Sequence, residues 1–173
     1  METQKMKPGS YPSHFYPYIQ LVENEDLNVV LKNQIETSKQ FFNSIPEEKT
    51  YYRYAEGKWS IKEVLQHIID TERVFAYRAL AFTRKETSIL PNMDENHYAE
   101  NSDANSRKWQ DLIEEFIAVR QSILLLYQSF SEAQLELAGK TTSYEMSAKA
   151  MGYTIAGHLA HHVNILKERY LGN

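Results

Sequence analysis

Three histidines, His158, His161 and His162, lie within five residues near the end of the sequence. Imidazole suits zinc, nickel, copper and iron, and two residues four apart on a helix project from one face. With about 100° of rotation per residue and an apolar stripe centred on Ile155, His162 lies near the middle of the stripe. His158 lies about 60° to one side and His161 about 120° away. We therefore expect His158 and His162, but not His161, to point into the interior.

A metal ion is an efficient way to satisfy the ring nitrogens of two imidazoles on one buried face. The alternative is a pair of core histidines that hydrogen-bond to carbonyls or carboxylates, which is the commoner explanation for a single buried histidine. A third ligand has to come from another helix. His67 follows Val64 and precedes Ile68 on an apolar face, and its position alone is compatible with a core residue as much as with a ligand.

The remaining candidates near this site are weaker. His14 lies in a proline-rich segment and His97 in a polar loop, where a solvated histidine is expected. Asp70 follows His67 by one helical turn and could hydrogen-bond to a ligand or polarise a bound molecule. An ordinary carboxylate on a helix surface is an equal alternative for Asp70. The predicted metal ligands are therefore His67, His158 and His162.

Several familiar catalytic patterns are absent from the sequence. A zincin motif needs glutamate directly after the first histidine, but Leu159 follows His158. Di-iron bundles use Glu-x-x-His, whereas the acid near His67 is Glu63, four residues before it. No glycine-rich phosphate loop, Gly-x-Ser-x-Gly elbow or cysteine nucleophile is present. Any chemistry is therefore expected to be that of the metal.

Three imidazoles leave coordination positions open, as catalytic metal sites do. A metal lowers the pKa of a coordinated thiol or water, which makes a nucleophile for thiol transfer or for hydrolysis. Both reactions are compatible with this ligand set. A non-catalytic bundle that binds a metal or a small ligand is the alternative from a different class.

The composition narrows the class of protein further. The 173 residues suit one domain, and the absence of cysteine excludes disulfides and thiolate metal sites. The net charge is −4, with basic residues scattered among acids, so we expect no nucleic-acid partner. The first twelve residues lack the apolar stretch of a secretory signal, and the apolar runs are too short to span a bilayer. We expect a soluble cytoplasmic protein without a membrane partner that acts on a small molecule.

Apolar residues recur at three- and four-residue spacing, which predicts an all-α fold. Four helices are predicted, over about residues 26–44, 60–84, 104–130 and 147–170. Ser60 and Glu63 form a capping box at the start of the second helix, and Gly172 can end the fourth. A connection of about twenty residues between the second and third helices is longer than a tight turn needs. The pattern predicts a four-helix bundle.

The chain is expected to divide into an N-terminal arm, residues 1–25, and a bundle domain, residues 26–173. The arm contains three prolines and several aromatic residues. We expect it to be irregular and to pack its aromatic side chains on the bundle.

Two segments carry a resemblance to a known family. The stretch from Lys58 to Asp70, Lys-Trp-Ser-Ile-Lys-Glu-Val-Leu-Gln-His-Ile-Ile-Asp, is followed after a long gap by Gly157-His158-x-x-His161-His162. Weaker features are Leu-Pro-Asn-Met-Asp at residues 90–94 and Glu-Phe-x-x-x-Arg at residues 115–120. Together they resemble the DinB superfamily of bacterial metal-binding bundles, over roughly residues 25–171.

The resemblance implies an up-down-down-up four-helix bundle with zinc or nickel held by one histidine of the second helix and a His-x-x-x-His pair of the fourth. These correspond to His67, His158 and His162, the set that helical geometry also favours. It further implies activity with a low-molecular-weight thiol, either as an S-transferase or as a thiol-dependent isomerase, and a possible homodimer. Many members of the family have no established activity.

Overall fold

The computed structural model describes residues 9–172, most of which are helical. The helices are α1 (Tyr16–Ile19), α2 (Leu27–Asn43), α3 (Ile61–Thr83), α4 (Glu95–Glu100), α5 (Trp109–Gln128), α6 (Glu132–Leu135) and α7 (Ala148–Ile165). Short 3-10 turns precede α1, α3 and α5, and α7 continues into a π-helical turn, Leu166–Leu171. One antiparallel hairpin, β1 (Ala138–Lys140) and β2 (Glu145–Ser147), lies between α6 and α7.

The four long helices, α2, α3, α5 and α7, form the bundle. α3 packs against α5 and α7, and α2 packs against the same two helices. Consequently α2 and α3, which are consecutive long helices in the sequence, lie diagonally across the bundle. The confirmed architecture is an all-α four-helix bundle.

Hydrogen bonds at the helix ends give the directions of the four helices. They join Trp109 Nε1 to the Phe42 carbonyl, Lys62 Nζ to the Arg107 carbonyl, and the Tyr127 hydroxyl to the Ala148 carbonyl. The end of α2 therefore lies beside the start of α5, the starts of α3 and α5 lie together, and the end of α5 lies beside the start of α7. These three relations give the up-down-down-up order, in which α3 and α5 run parallel.

The helix ends agree with the local sequence. At α3, Ser60 Oγ accepts a hydrogen bond from the Glu63 amide, and Glu63 Oε2 accepts one from the Ser60 amide. The predicted capping box is therefore confirmed. The last helical turn stops at Gly172, whose φ of 71° is a left-handed conformation that glycine adopts without strain.

Three features differ from the sequence prediction. The third long helix begins at Trp109 and not near Ala104, because Asp103 adopts a left-handed conformation with φ 50° and Ser106 hydrogen-bonds back to it. Such local hydrogen bonds compete with helix formation. The long connection between α3 and α5 contains the short helix α4, which Asp94 caps. The hairpin was not predicted, since its three-residue strands carry too little pattern to read.

The arm is more helical than the irregular segment predicted for residues 1–25. Residues 1–8 of the arm lie outside the described residues. In the rest of the arm, a 3-10 turn leads into α1, and α1 packs on α7. Phe15 and Ile19 are buried against the bundle, whereas Tyr16 is exposed.

The bundle interior holds one buried ion pair among its apolar side chains. Arg120 of α5 and Glu72 of α3 hydrogen-bond to each other with almost no exposed surface. Gln34 of α2 accepts a hydrogen bond from Arg120 and donates one to the Ala156 carbonyl of α7. All four helices therefore meet at this network. None of the described helices is both long and apolar enough to cross a membrane.

Candidate metal centre

The antiparallel packing of α3 on α7 brings together the three predicted ligands. His67 lies in the second turn of α3, and His158 and His162 lie in the last two turns of α7. One short turn separates the two α7 histidines, so both rings face α3. The capping box at the start of α3 fixes the end of the helix that carries His67.

The three imidazoles converge through their Nε2 atoms. His158 Nε2 lies 3.0 Å from His67 Nε2 and 3.0 Å from His162 Nε2. One candidate ligand atom from each residue lies within 4.8 Å of the others. The ring centroids are 4.4 to 5.0 Å apart with tilted planes, so the rings do not stack face to face. The contact is an edge-on meeting of three nitrogens.

Burial keeps these imidazoles neutral at pH 7. It lowers the pKa of His67 to about 4 and is the largest cause that lowers the pKa of His162 to about 3. The pKa of His158 lies well below its ordinary value, because the ring is buried and faces the other two imidazoles. Neutral imidazole is the form that binds a metal.

A divalent cation fits this cluster. A ring nitrogen carries either one in-plane lone pair or one hydrogen, so His158 Nε2 can hydrogen-bond to one of its two neighbours but not to both. The buried Nδ1 of His158 has no hydrogen-bond partner among the described residues. Nitrogens about 2.0–2.1 Å from one ion lie roughly 3.0–3.4 Å apart, which matches the observed spacing. The donor set is therefore suited to a divalent transition-metal ion.

Neighbouring aromatic rings hold two of the imidazoles in place. The Trp59 ring lies 4.7 Å from His67, and Tyr18 of α1 meets His158 edge-on at 5.5 Å. Thr71 Oγ1 is 3.5 Å from His67 Nδ1, a long contact on the side of the ring away from the cluster. Both aromatic residues come from outside the four long helices, since Tyr18 belongs to the arm and Trp59 to the connection between α2 and α3. These two segments therefore complete the site.

The other candidate residues do not join the cluster. His161 is half-buried and its ring packs on Tyr18. His97 is exposed on α4 beside Asn101. Asp70 accepts a hydrogen bond from Gln66 Nε2 at 2.9 Å, and burial raises its pKa. Among the described residues, Thr71 and not Asp70 lies beside the Nδ1 atom of His67.

Angular position on α7 does not determine which of the two histidines is more exposed. It places His162 nearest the middle of the apolar stripe, but His158 is the buried ring and His162 is half-buried. The reason is axial position. His162 is one turn closer to the end of α7, where two surface cavities reach it.

The larger of these cavities has a volume of about 590 Å³ and opens over the three imidazoles. Such a volume suits a small organic ligand. Its aromatic wall comprises Phe15, Tyr18, Trp59, Phe75 and Tyr144. It is also lined by Arg78, Glu95 and His14. Arg78 and Tyr144 could not be predicted as cavity residues from the sequence, since their place in the cavity depends on how the hairpin packs on α3.

An all-α bundle that closes three imidazoles around one point beside a cavity defines a helical metal-site protein. The sequence matches the DinB superfamily over residues 31–166. The chain therefore belongs to the DinB superfamily.

Two similar proteins carry related names. A protein of Oceanobacillus iheyensis, provisionally named a metal-dependent hydrolase, is 26% identical over 148 residues, which cover 83% of this chain and 84% of that protein. The structure of YfiT from Bacillus subtilis, described as a probable metal-dependent hydrolase with an unusual four-helix bundle topology, superposes with a TM-score of 0.74 at 17% identity. The match covers 95% of this chain and 91% of that chain, and it supports the fold.

Proposed function

We propose that this protein is a metal-dependent enzyme that activates a low-molecular-weight thiol or a water molecule for attack on a small-molecule substrate. The observation that carries the proposal is the convergence of His67, His158 and His162 through their Nε2 atoms at the wall of a cavity. A divalent ion held there, zinc or nickel, supplies Lewis acidity that lowers the pKa of a thiol or water in an open coordination position. The names of the two similar proteins support a metal-dependent enzyme.

The protein's own side chains have three tasks in this proposal. The three imidazoles present neutral lone pairs, because burial holds their pKa values below neutral pH. Trp59 and Tyr18 fix ring orientation and exclude water from the buried side of the cluster. The cavity receives the substrate next to the Nε2 atoms.

The side chains around the cluster favour the thiol over water. Hydrolysis usually needs a carboxylate or histidine that moves protons to the leaving group. Besides the three imidazoles of the cluster, the described cavity-lining residues offer two such groups, Glu95 and His14, and both are exposed. A thiol bound by a metal at these imidazoles would have a lowered pKa and would release its proton to water, so the thiolate would need no such group.

The ligand set is tested by metal analysis of purified variants. We expect His67→Ala and His162→Ala to lose stoichiometric metal while they keep their helix content, because the buried hydrogen-bonded network of Arg120 joins the four helices without these imidazoles. His161→Ala is the matched control, since it removes a neighbouring imidazole that packs on Tyr18. Metal retention in both ligand variants, measured by elemental analysis and circular dichroism, contradicts the assignment.

The reaction is tested with the metal-loaded wild-type protein. A panel of thiols with electrophiles measures transfer, and a panel of esters and amides measures hydrolysis. We expect thiol transfer that disappears in His162→Ala and persists in His161→Ala. Hydrolysis with the same dependence on His162 assigns water as the nucleophile. Failure of both panels, with metal bound, supports a non-catalytic binding protein instead.

A further inference from the structure

The cavity beside the histidines contains one buried cation, at the end away from them. Arg78 of α3 is 3% exposed and lines the cavity. Along α3, the residues His67, Thr71, Phe75 and Arg78 are spaced four, four and three apart, which places them on one face of the helix. This face is the floor of the cavity, and it leads from the imidazoles to the guanidinium.

In the described part of the chain Arg78 has no anionic partner, and its guanidinium lies over the rings of Phe75 and Tyr144 at 5.5 and 5.6 Å. Its Nη1 donates to the Tyr144 hydroxyl at 2.6 Å, and its Nη2 donates to the Pro91 carbonyl at 2.8 Å. Both acceptors are neutral. No carboxylate within residues 9–172 forms an ion pair with Arg78. A guanidinium has five N–H donors, so these two bonds leave donors that can reach a ligand.

Several other arginines of this protein are paired with carboxylates. Arg120, the other buried arginine of the described chain, pairs with Glu72. Arg73 and Arg107 both pair with Glu115. Removing a cation from water without an anion is unfavourable. Arg78 therefore differs from these arginines in having a cavity where they have a carboxylate.

The path between the two ends of the cavity is aromatic. The Phe15 ring contacts Phe75 and Tyr144 edge-on, with centroids 6.4 and 5.0 Å apart. Eleven residues of α-helix separate the Cα atoms of His67 and Arg78 by roughly 16 Å. A ligand that lies along this aromatic path would need an apolar middle section to match it. Arg78 also borders a second cavity of about 300 Å³, so its guanidinium lies between the two.

From this arrangement we infer that Arg78 binds an anionic group, a carboxylate or a phosphate monoester, on an elongated organic substrate whose other end reaches the three histidines. The inference rests on the proposed function for the role of the histidine end. Glu95 at the mouth of the cavity opposes an anion there, so the favourable position for the negative charge is the inner end at Arg78.

Binding to the metal-free protein tests this inference without any catalytic step. Chelator treatment removes any metal that could coordinate a carboxylate directly. A preference for anions in the treated protein therefore reports on the protein's own groups. The probes are 4-phenylbutyrate, its neutral amide and 3-phenylpropyl phosphate. Trp59 fluorescence follows binding, because Trp59 lines the cavity, whereas Trp109 is buried against Phe42.

We expect the wild-type protein to bind at least one anionic probe about tenfold to a hundredfold more tightly than the amide, as hydrogen bonds to a charged group allow. The better of the two anionic probes identifies the carboxylate or the phosphate. Arg78→Met is expected to bind all three probes equally. Arg84→Met is the matched control at the exposed end of the same helix, and it is expected to keep the preference.

Equal affinity of the wild-type protein for charged and neutral probes overturns the inference, as does an anion preference that persists in Arg78→Met. Absence of anion binding up to millimolar concentration overturns it as well. Arg78→Lys is the second variant if Arg78→Met does not fold. This variant keeps the positive charge but loses the paired N–H donors of the guanidinium, and it is expected to retain part of the anion preference. If the protein prefers anions but shows no turnover, the proposed function is rejected and this inference stands. If it shows turnover but no anion preference, this inference is rejected and the proposed function stands.

Discussion

His158 has the fewest ways to satisfy its ring nitrogens. Its Nδ1 is buried without a hydrogen-bond partner among the described residues, and its Nε2 faces two other nitrogens at 3.0 Å. His67 has Thr71 near its Nδ1, and His162 is half-buried. A cation therefore changes the surroundings of His158 most. Of the three rings, His158 is the one whose packing is hardest to explain without a metal.

The lowered pKa values predict how the metal-free protein responds to acid. The folded-state pKa is about 4 for His67 and about 3 for His162, against an ordinary value of 6.5. Below pH 6.5 the unfolded chain binds protons that the folded chain does not, so the free energy of unfolding falls as the pH falls towards 4. We expect the urea midpoint of chelator-treated protein to decrease over this range.

The comparison between variants isolates this effect from that of the carboxylates. His162→Ala removes one of the titrating groups, so its urea midpoint is expected to fall less between pH 6.5 and pH 4. His97→Ala, which removes an exposed histidine of α4, is expected to follow the wild-type protein. Parallel curves for the wild-type protein and His162→Ala contradict the prediction.

At the scale of elements, the site depends on how closely the arm approaches α7. A Cβ atom added at Gly157 meets the Tyr18 carbonyl oxygen at 2.0 Å and its carbonyl carbon at 2.4 Å. Both atoms are backbone, so they cannot turn aside as a flexible side chain can. Glycine at position 157 therefore allows α1 to lie against α7, and this contact places the Tyr18 ring on His158.

Gly157→Ala is predicted to displace the arm. The added methyl group improves helix propensity by about 1 kcal/mol, but moving the backbone of α1 has an unfavourable effect of about 1–3 kcal/mol. We expect a net loss of stability and faster proteolysis of residues 9–25, measured by thermal unfolding and by peptide mapping. Asn164→Ala, an exposed change on the same helix, controls for propensity. Unchanged proteolysis in Gly157→Ala shows that the arm tolerates the methyl group.

The long helices could be predicted from the sequence because their signals are local. The capping box of Ser60 and Glu63 and the stop at Gly172 depend on neighbouring residues, and both are confirmed. The hairpin is different. Its strands are three residues long, and Leu90 of the preceding connection hydrogen-bonds to Lys140 and Thr142 to complete it. Contacts between distant segments decide that structure, and single-sequence patterns do not contain them.

The same distinction applies to the site. The spacing of His158 and His162 and the helical face of His67 predicted which imidazoles share a point in space. The environment of Arg78 could not be predicted in this way, since it depends on Tyr144 of the hairpin turn and on Pro91. A signal was present, however, because Arg78 continues the face of α3 that carries His67 and Phe75. A charged residue on such a face indicates either an ion pair or a ligand.

At the scale of the whole molecule, the cluster links helices that other contacts already hold together. His67 belongs to α3, and both other histidines belong to α7, two helices with extensive mutual packing. The buried network of Glu72, Arg120 and Gln34 joins all four helices independently of the cluster. The bundle is therefore expected to fold without metal, and metal bound to the folded chain adds stability by mass action.

This expectation gives a measurable change in melting temperature. A ligand present at about a thousand times its Kd stabilises the folded state by about 4 kcal/mol, and a chain of this size gains about 2–4 °C in Tm for each kcal/mol. We therefore expect Tm of chelator-treated protein to rise by about 8–16 °C on addition of Zn²⁺ or Ni²⁺. The larger rise identifies the metal that the site prefers. His162→Ala is expected to lose most of the rise and His161→Ala to keep it. If all three Nε2 atoms hold the metal, removal of His162 has to weaken its binding. An equal rise in Tm in the wild-type protein and in His162→Ala would therefore show that the metal binds elsewhere on the surface.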